Sequence, residues 1–210
     1  VGPLARLARW LRGAIGEPHR SATPGLPGLP AALRRDPLAP GYVEAATSGD
    51  HRGAATTAGQ AAEAAITAGA WWAADAWSHR ALWHYERIDM TLAATRTARR
   101  IGDIRVAGGD PDSARRYYAE AISEARDIGA EREQGLAALG MGRAEMDRGD
   151  VTTARRLAEI AETLLASAGA PADEIAAAHA LRGEEKAVRE AADGGVSRET
   201  GETAEGTEEG

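Results

Sequence analysis

Cysteine, phenylalanine and asparagine do not occur in the 210 residues, and Lys186 is the one lysine among 25 basic side chains. Without cysteine there is no disulfide framework and no thiolate chemistry, which suits an intracellular protein. Aromatic residues make up only 4%, and the 43% of hydrophobic residues is mostly alanine. Strands favour β-branched and aromatic side chains, so this composition predicts close-packed helices rather than a β-sandwich. No uninterrupted apolar run approaches the roughly 18 residues that a membrane span needs. HExxH, GxxxxGK[ST], GxSxG and a GxGxxG after a strand are all absent. Each would place a metal ligand, a phosphate cradle or a nucleophile, so the sequence predicts no enzyme, no metal and no cofactor. His79 and His84 lie on one helical stretch, but five residues put them roughly 140° apart around it, too far to share an ion.

The formal charge of −7 is unevenly spread. In residues 1–35, Arg6, Arg9, Arg12, Arg20, Arg34 and Arg35 stand against Glu17, whereas the last residues set Glu199, Glu202, Glu205, Glu208 and Glu209 against Arg198. An acidic chain is a poor match for generic nucleic-acid binding, so no nucleic acid is expected as a partner. Charges also run through the apolar part of the N-terminus and no A-x-A-like cleavage site follows, so a cytoplasmic protein is expected rather than a secreted one.

Three regions are predicted. Residues 1–41 comprise an amphipathic helix, with Leu4, Leu7, Leu11 and Ile15 on one face, followed by a linker from His19 to Gly41. In that linker Pro24, Pro27, Pro30, Pro37 and Pro40 recur too often for a helix. Residues 42–193 are helical, with helices expected at 51–67, 70–88, 91–107, 110–128, 131–148, 150–168 and 171–191. Gly69, Gly109, Gly129, Gly149 and Gly169 mark the helix ends, where glycine takes positive φ, and Asp110 and Asp150 are N-caps. Residues 194–210 have almost nothing to bury and are predicted to be a disordered acidic tail.

The helical region is periodic. Gly109-Asp110 and Gly149-Asp150 open two segments in which Ala-Arg-Arg follows at 114–116 and 154–156. Gly129-Ala130 and Gly169-Ala170 close them, and Ala58, Ala98, Ala138 and Ala178 keep the same spacing of 40. A fixed period of this size is the mark of a repeat array in which each unit buries its face against its neighbours.

The small residues take specific places in that period. Ala62, Gly102 and Gly142 recur midway along the first helix of each pair, and Ala74/Ala81, Ala114/Ala121 and Ala154/Ala161 recur on the second. The arrangement resembles the tetratricopeptide repeat (TPR) family in a longer-helix form, with a period of 40 where about 34 is usual. The resemblance covers about residues 51–191. It implies an all-α fold, a right-handed α-solenoid of antiparallel helix pairs, serving as a protein–protein interaction scaffold. It also implies a concave groove lined by the first helices, which takes a peptide or a partner helix.

Carried over by position, the groove would be lined by Thr56, Gln60, Glu63 and Ile66, then Arg96, Arg99, Arg100 and Asp103. Leu136, Leu139, Arg143 and Met146 would follow, then His179 and Lys186. Planar guanidinium forks suit carboxylates, so the expected partner is an acidic protein or peptide. A second interface is expected at Trp72, His79 and Trp83, a stripe opposite the core face of helix 70–88, either exposed or covered by the N-terminal segment. The alternative function is a membrane-associated assembly factor anchored through the basic N-terminal helix.

Overall fold

A computed structural model describes residues 29–183. The expected N-terminal amphipathic helix, the acidic tail and Lys186 lie outside these residues. Within them the chain is all-helical. A short 3-10 turn, Leu33–Arg35, leads into α1 (Ala39–Ser48), α2 (His51–Thr67) and α3 (Trp71–Arg87). α4 (Thr91–Ala107), α5 (Pro111–Asp127), α6 (Glu131–Asp147) and α7 (Val151–Ser167) follow. Residues 172–183 form a further helical run, α8.

From α2 to α7 every helix has 17 residues. Two such helices with their links account for the period of 40 in the sequence. Gly69, Gly109, Gly129, Gly149 and Gly169 all have φ between +61° and +83°, as their place after the helices requires. Asp89 stands at the same place after α3 and is held at φ +53° without a glycine's freedom. Asp110 and Asp150 accept the backbone N–H of Ser113 and Thr153, as expected, and Asp50 caps α2 through Gly53.

The linker expectation is corrected at its C-terminal end. Pro40 and Gly41 belong to the first turn of α1, where a missing N–H is unpaired in any case. Leu29 and Leu33 are buried against the α2–α3 pair, so part of the Pro/Gly stretch is core.

Each helix packs against the next, and α4 also touches α6. The seams are built from small residues: Ala54, Ala58, Ala74, Ala114, Ala121, Ala154 and Ala161 are fully buried. Without bulk beyond Cβ, neighbouring axes can approach to the short end of helix packing distance. Ile101, Met141 and Leu181, one repeat apart, are buried between them.

Two glycines have a sharper role. The ring of Tyr118 lies across α4 and α6, and a Cβ on Gly102 or Gly140 would stand 2.7 or 2.5 Å from it. The ring passes between these helices because both backbones are bare there, and its hydroxyl emerges to donate to Asp103 at 2.8 Å.

Candidate functional site

Alternate helices bring their polar residues to one depression of about 410 Å³. α4 contributes Arg96, Thr97, Arg99 and Arg100, α6 contributes Arg132, Glu133 and Leu136, and α8 contributes Glu174. Arg96, Arg99, Arg100 and Leu136 were expected in a groove, and the structure brings them together. Arg132, Glu133 and Glu174 were not.

The arginines are held in place by carboxylates one repeat away. Arg96 Nε is 2.7 Å from Glu133, whose side chain is only 6% exposed, and Arg99 reaches the other Glu133 oxygen at 3.9 Å. Arg99 also pairs with Asp103 at 2.9 Å. Arg100 pairs with Glu63 of α2, and Arg132 forms a fork on Glu174, with Nε 2.9 Å from one oxygen. Apart from Arg99–Asp103, which lies within α4, each link runs from one helix to the next but one, so the ladder ties α2, α4, α6 and α8 in series.

The pairing leaves donors free. A guanidinium has five N–H groups, and Arg96, 53% exposed, commits its Nε to Glu133. Arg143 is exposed and faces Asp103 and the Tyr118 hydroxyl electrostatically. Burial pushes the Asp103 carboxyl above its ordinary value, against the pull of Arg99, the Tyr118 hydrogen bond, Arg100 and Arg143. Burial first, then the Asp103 charge, raises the Tyr118 hydroxyl, which therefore stays protonated as a donor.

Other expected groove residues lie elsewhere. Leu139 is core, with 4% exposure, and Met146 is half-buried against the same cluster. They fall on the buried side of α6 because that helix packs against both α5 and α7, which leaves only a narrow strip for the groove. His179 is exposed and turned toward α7, 3.5 Å from Glu162 and 3.2 Å from Arg182.

The tryptophan stripe is also divided. Trp72 is 59% exposed. His79 bridges helices instead, with Nδ1 2.8 Å from the Asp75 carbonyl and Nε2 2.8 Å from the Tyr117 hydroxyl. Trp83 packs edge-on against His51 and His84, with Arg87 over its ring at 4.8 Å. Within residues 29–42, the chain covers Trp77, whose Nε1 donates to Asp36 at 2.9 Å and whose ring meets Tyr42 edge-on.

Among the described residues, no cluster of three or more His, Asp or Glu is placed to hold a metal, and no helix is long and apolar enough to cross a membrane. No family model matches the sequence, and no curated protein is significantly similar to it.

Proposed function

We propose that the chain is a non-catalytic interaction scaffold, a right-handed α-solenoid of antiparallel helix pairs of the tetratricopeptide type. Its groove takes an acidic peptide segment of a partner protein. One observation carries the reading: four arginines from two alternate helices converge on one depression of about 410 Å³, with the apolar side chain of Leu136 beside them. The equal helices, the 40-residue period and the buried small residues support the repeat type.

The internal carboxylates are part of the design. An unpaired arginine must be immobilised when a ligand arrives, which costs about 0.5–1.5 kcal/mol for each long side chain. Here Glu63, Glu133 and Glu174 have already fixed Arg100, Arg96 and Arg132. A peptide carboxylate then meets oriented N–H groups and forms charge-assisted hydrogen bonds without ordering the receptor.

The test is calorimetric titration of the full chain with a glutamate-rich peptide and with its glutamine counterpart. The glutamate peptide should bind at least tenfold tighter, with the difference shrinking at high salt because exposed charges are screened. Arg96→Gln with Arg100→Gln should remove most of that preference. Equal binding of the two peptides would overturn the acidic-partner reading.

A further inference from the structure

α1, the first helix among the described residues, is joined to the array by a chain of titratable groups that the groove does not use. His84 of α3 is fully buried. Its Nδ1 lies 2.8 Å from Nδ1 of His51, the first residue of α2, and its Nε2 lies 3.3 Å from the Tyr42 hydroxyl of α1. One hydrogen-bonded line therefore joins α1, α3 and α2.

Proton counting sets what this line tolerates. Two facing Nδ1 atoms can share one hydrogen, with one ring donating and the other accepting. A single extra proton keeps that bond, because a doubly protonated ring can still donate to a bare neighbour. A second extra proton puts an N–H on both facing nitrogens at 2.8 Å, and the bond becomes a repulsion.

From α2 the group facing His84 is His51, from α3 it is Arg87, and from α1 it is the Tyr42 phenol, itself under the influence of Arg80. Among the described residues, the charges acting on His84 are thus all positive. Burial first, then His51 and Arg87, lowers its pKa to about 4.

Besides this line, α1 is held by the edge contact of Tyr42 with Trp77 and by the Asp36–Trp77 hydrogen bond just before it. It buries only Ala39 and Tyr42, whereas each helix from α2 to α7 buries a longer row. Gly49 follows it with φ +79° and serves as a ready hinge. Beneath it lie Trp77 and Ala81, the apolar face of the α2–α3 pair.

We propose that α1 is an acid-released cap on this end of the described helices, opened by proton uptake in the facing His51–His84 pair, and that opening bares the face around Trp77. The sign follows from linkage: a histidine held below its unfolded value stabilises the closed form above about pH 6.5 and loses that contribution as pH falls toward about 4. Histidine pairs are apt for this because the charge change lies close to physiological pH.

Hydrogen exchange of the full chain, read by mass spectrometry and corrected for the intrinsic pH dependence, tests the proposal. Protection of residues 39–48 should fall by up to roughly tenfold for each pH unit across this window, one proton being taken up on opening. Protection in α5 to α7 should persist. His84→Gln removes the buried ring and should flatten the profile, whereas His51→Gln, at a partly exposed position, removes the facing nitrogen and should weaken the fall only in part, because burial also holds His84 down. Constant α1 protection from pH 7 to pH 4 would overturn the proposal. So would a fall in step with α5 to α7, or an undiminished fall in His51→Gln.

Discussion

At the scale of single residues, Gly140 and Gly102 illustrate how a ring on one helix dictates the absence of a side chain on two others. Adding a methyl at Gly140 places its Cβ 2.5 Å from the ring of Tyr118, which is buried and also lies against Gly102. Gly140→Ala should therefore destabilise the chain by about 1–3 kcal/mol despite alanine's better helix propensity. Urea unfolding of Gly140→Ala against Gly59→Ala, where a Cβ meets nothing within 4 Å, separates the clash from propensity. The link at Asp89 makes the opposite case. A non-glycine residue is held there at φ +53° in a place that glycine fills after the other helices. Asp89→Gly should raise stability by about 0.5–1 kcal/mol, the relief of left-handed strain exceeding the added freedom of the unfolded chain. A lower unfolding midpoint would show that the aspartate is doing something besides occupying a turn.

At the scale of helices, the spans from α2 to α7 were legible within a residue or two because three signals agreed. Alanine spacing gave the period, glycine marked the ends, and aspartate marked the starts of α5 and α7. α1 was hidden by Pro40 and Gly41, which read as linker although a proline suits a helix's first turn. Within the groove, the α4 arginines were legible from position, but their partners were not. Glu133 and Glu174 pair with Arg96 and Arg132 at separations of 37 and 42 residues, slightly off the period, so aligning equivalent positions does not reveal them. Opposite charges about one repeat apart were the available signal. Leu139 and Met146 were misplaced because the carry-over took helix positions and not the two neighbours that enclose α6.

One helix-scale group has a measurable pH signature. Burial first, then the charges of Glu124 and Glu86, raises Glu120 on α5 to about 7, while Arg116 opposes the rise. A carboxyl whose folded value exceeds its unfolded one favours the folded state most at low pH and loses that contribution as pH rises through about 7. Glu120→Gln should thus be more stable than the parent at pH 8, by on the order of 1–2 kcal/mol after allowance for partial solvent screening. The gap should close below about pH 4.5. The His84 contribution runs the other way with pH but is common to both proteins, so their difference isolates Glu120. A gap independent of pH would sink the assignment.

At the scale of the whole molecule, arginine–carboxylate pairs link the helices over two different ranges. Pairs such as Asp75–Arg105 and Arg115–Glu145 join neighbouring helices, at 2.6 and 2.5 Å. The groove ladder instead joins alternate helices beside the exposed guanidinium groups of Arg96, Arg100 and Arg143. The groove is the central claim, and an amide chemical-shift map addresses it most directly. A glutamate-rich peptide titrated into the isotopically labelled full chain should move resonances of Arg96, Thr97, Arg100, Leu136 and Glu174, leaving the exposed side of α3 around Trp72 unchanged. Shifts confined to Trp71 and Trp72, or none at peptide concentrations that saturate calorimetric binding, would contradict the groove.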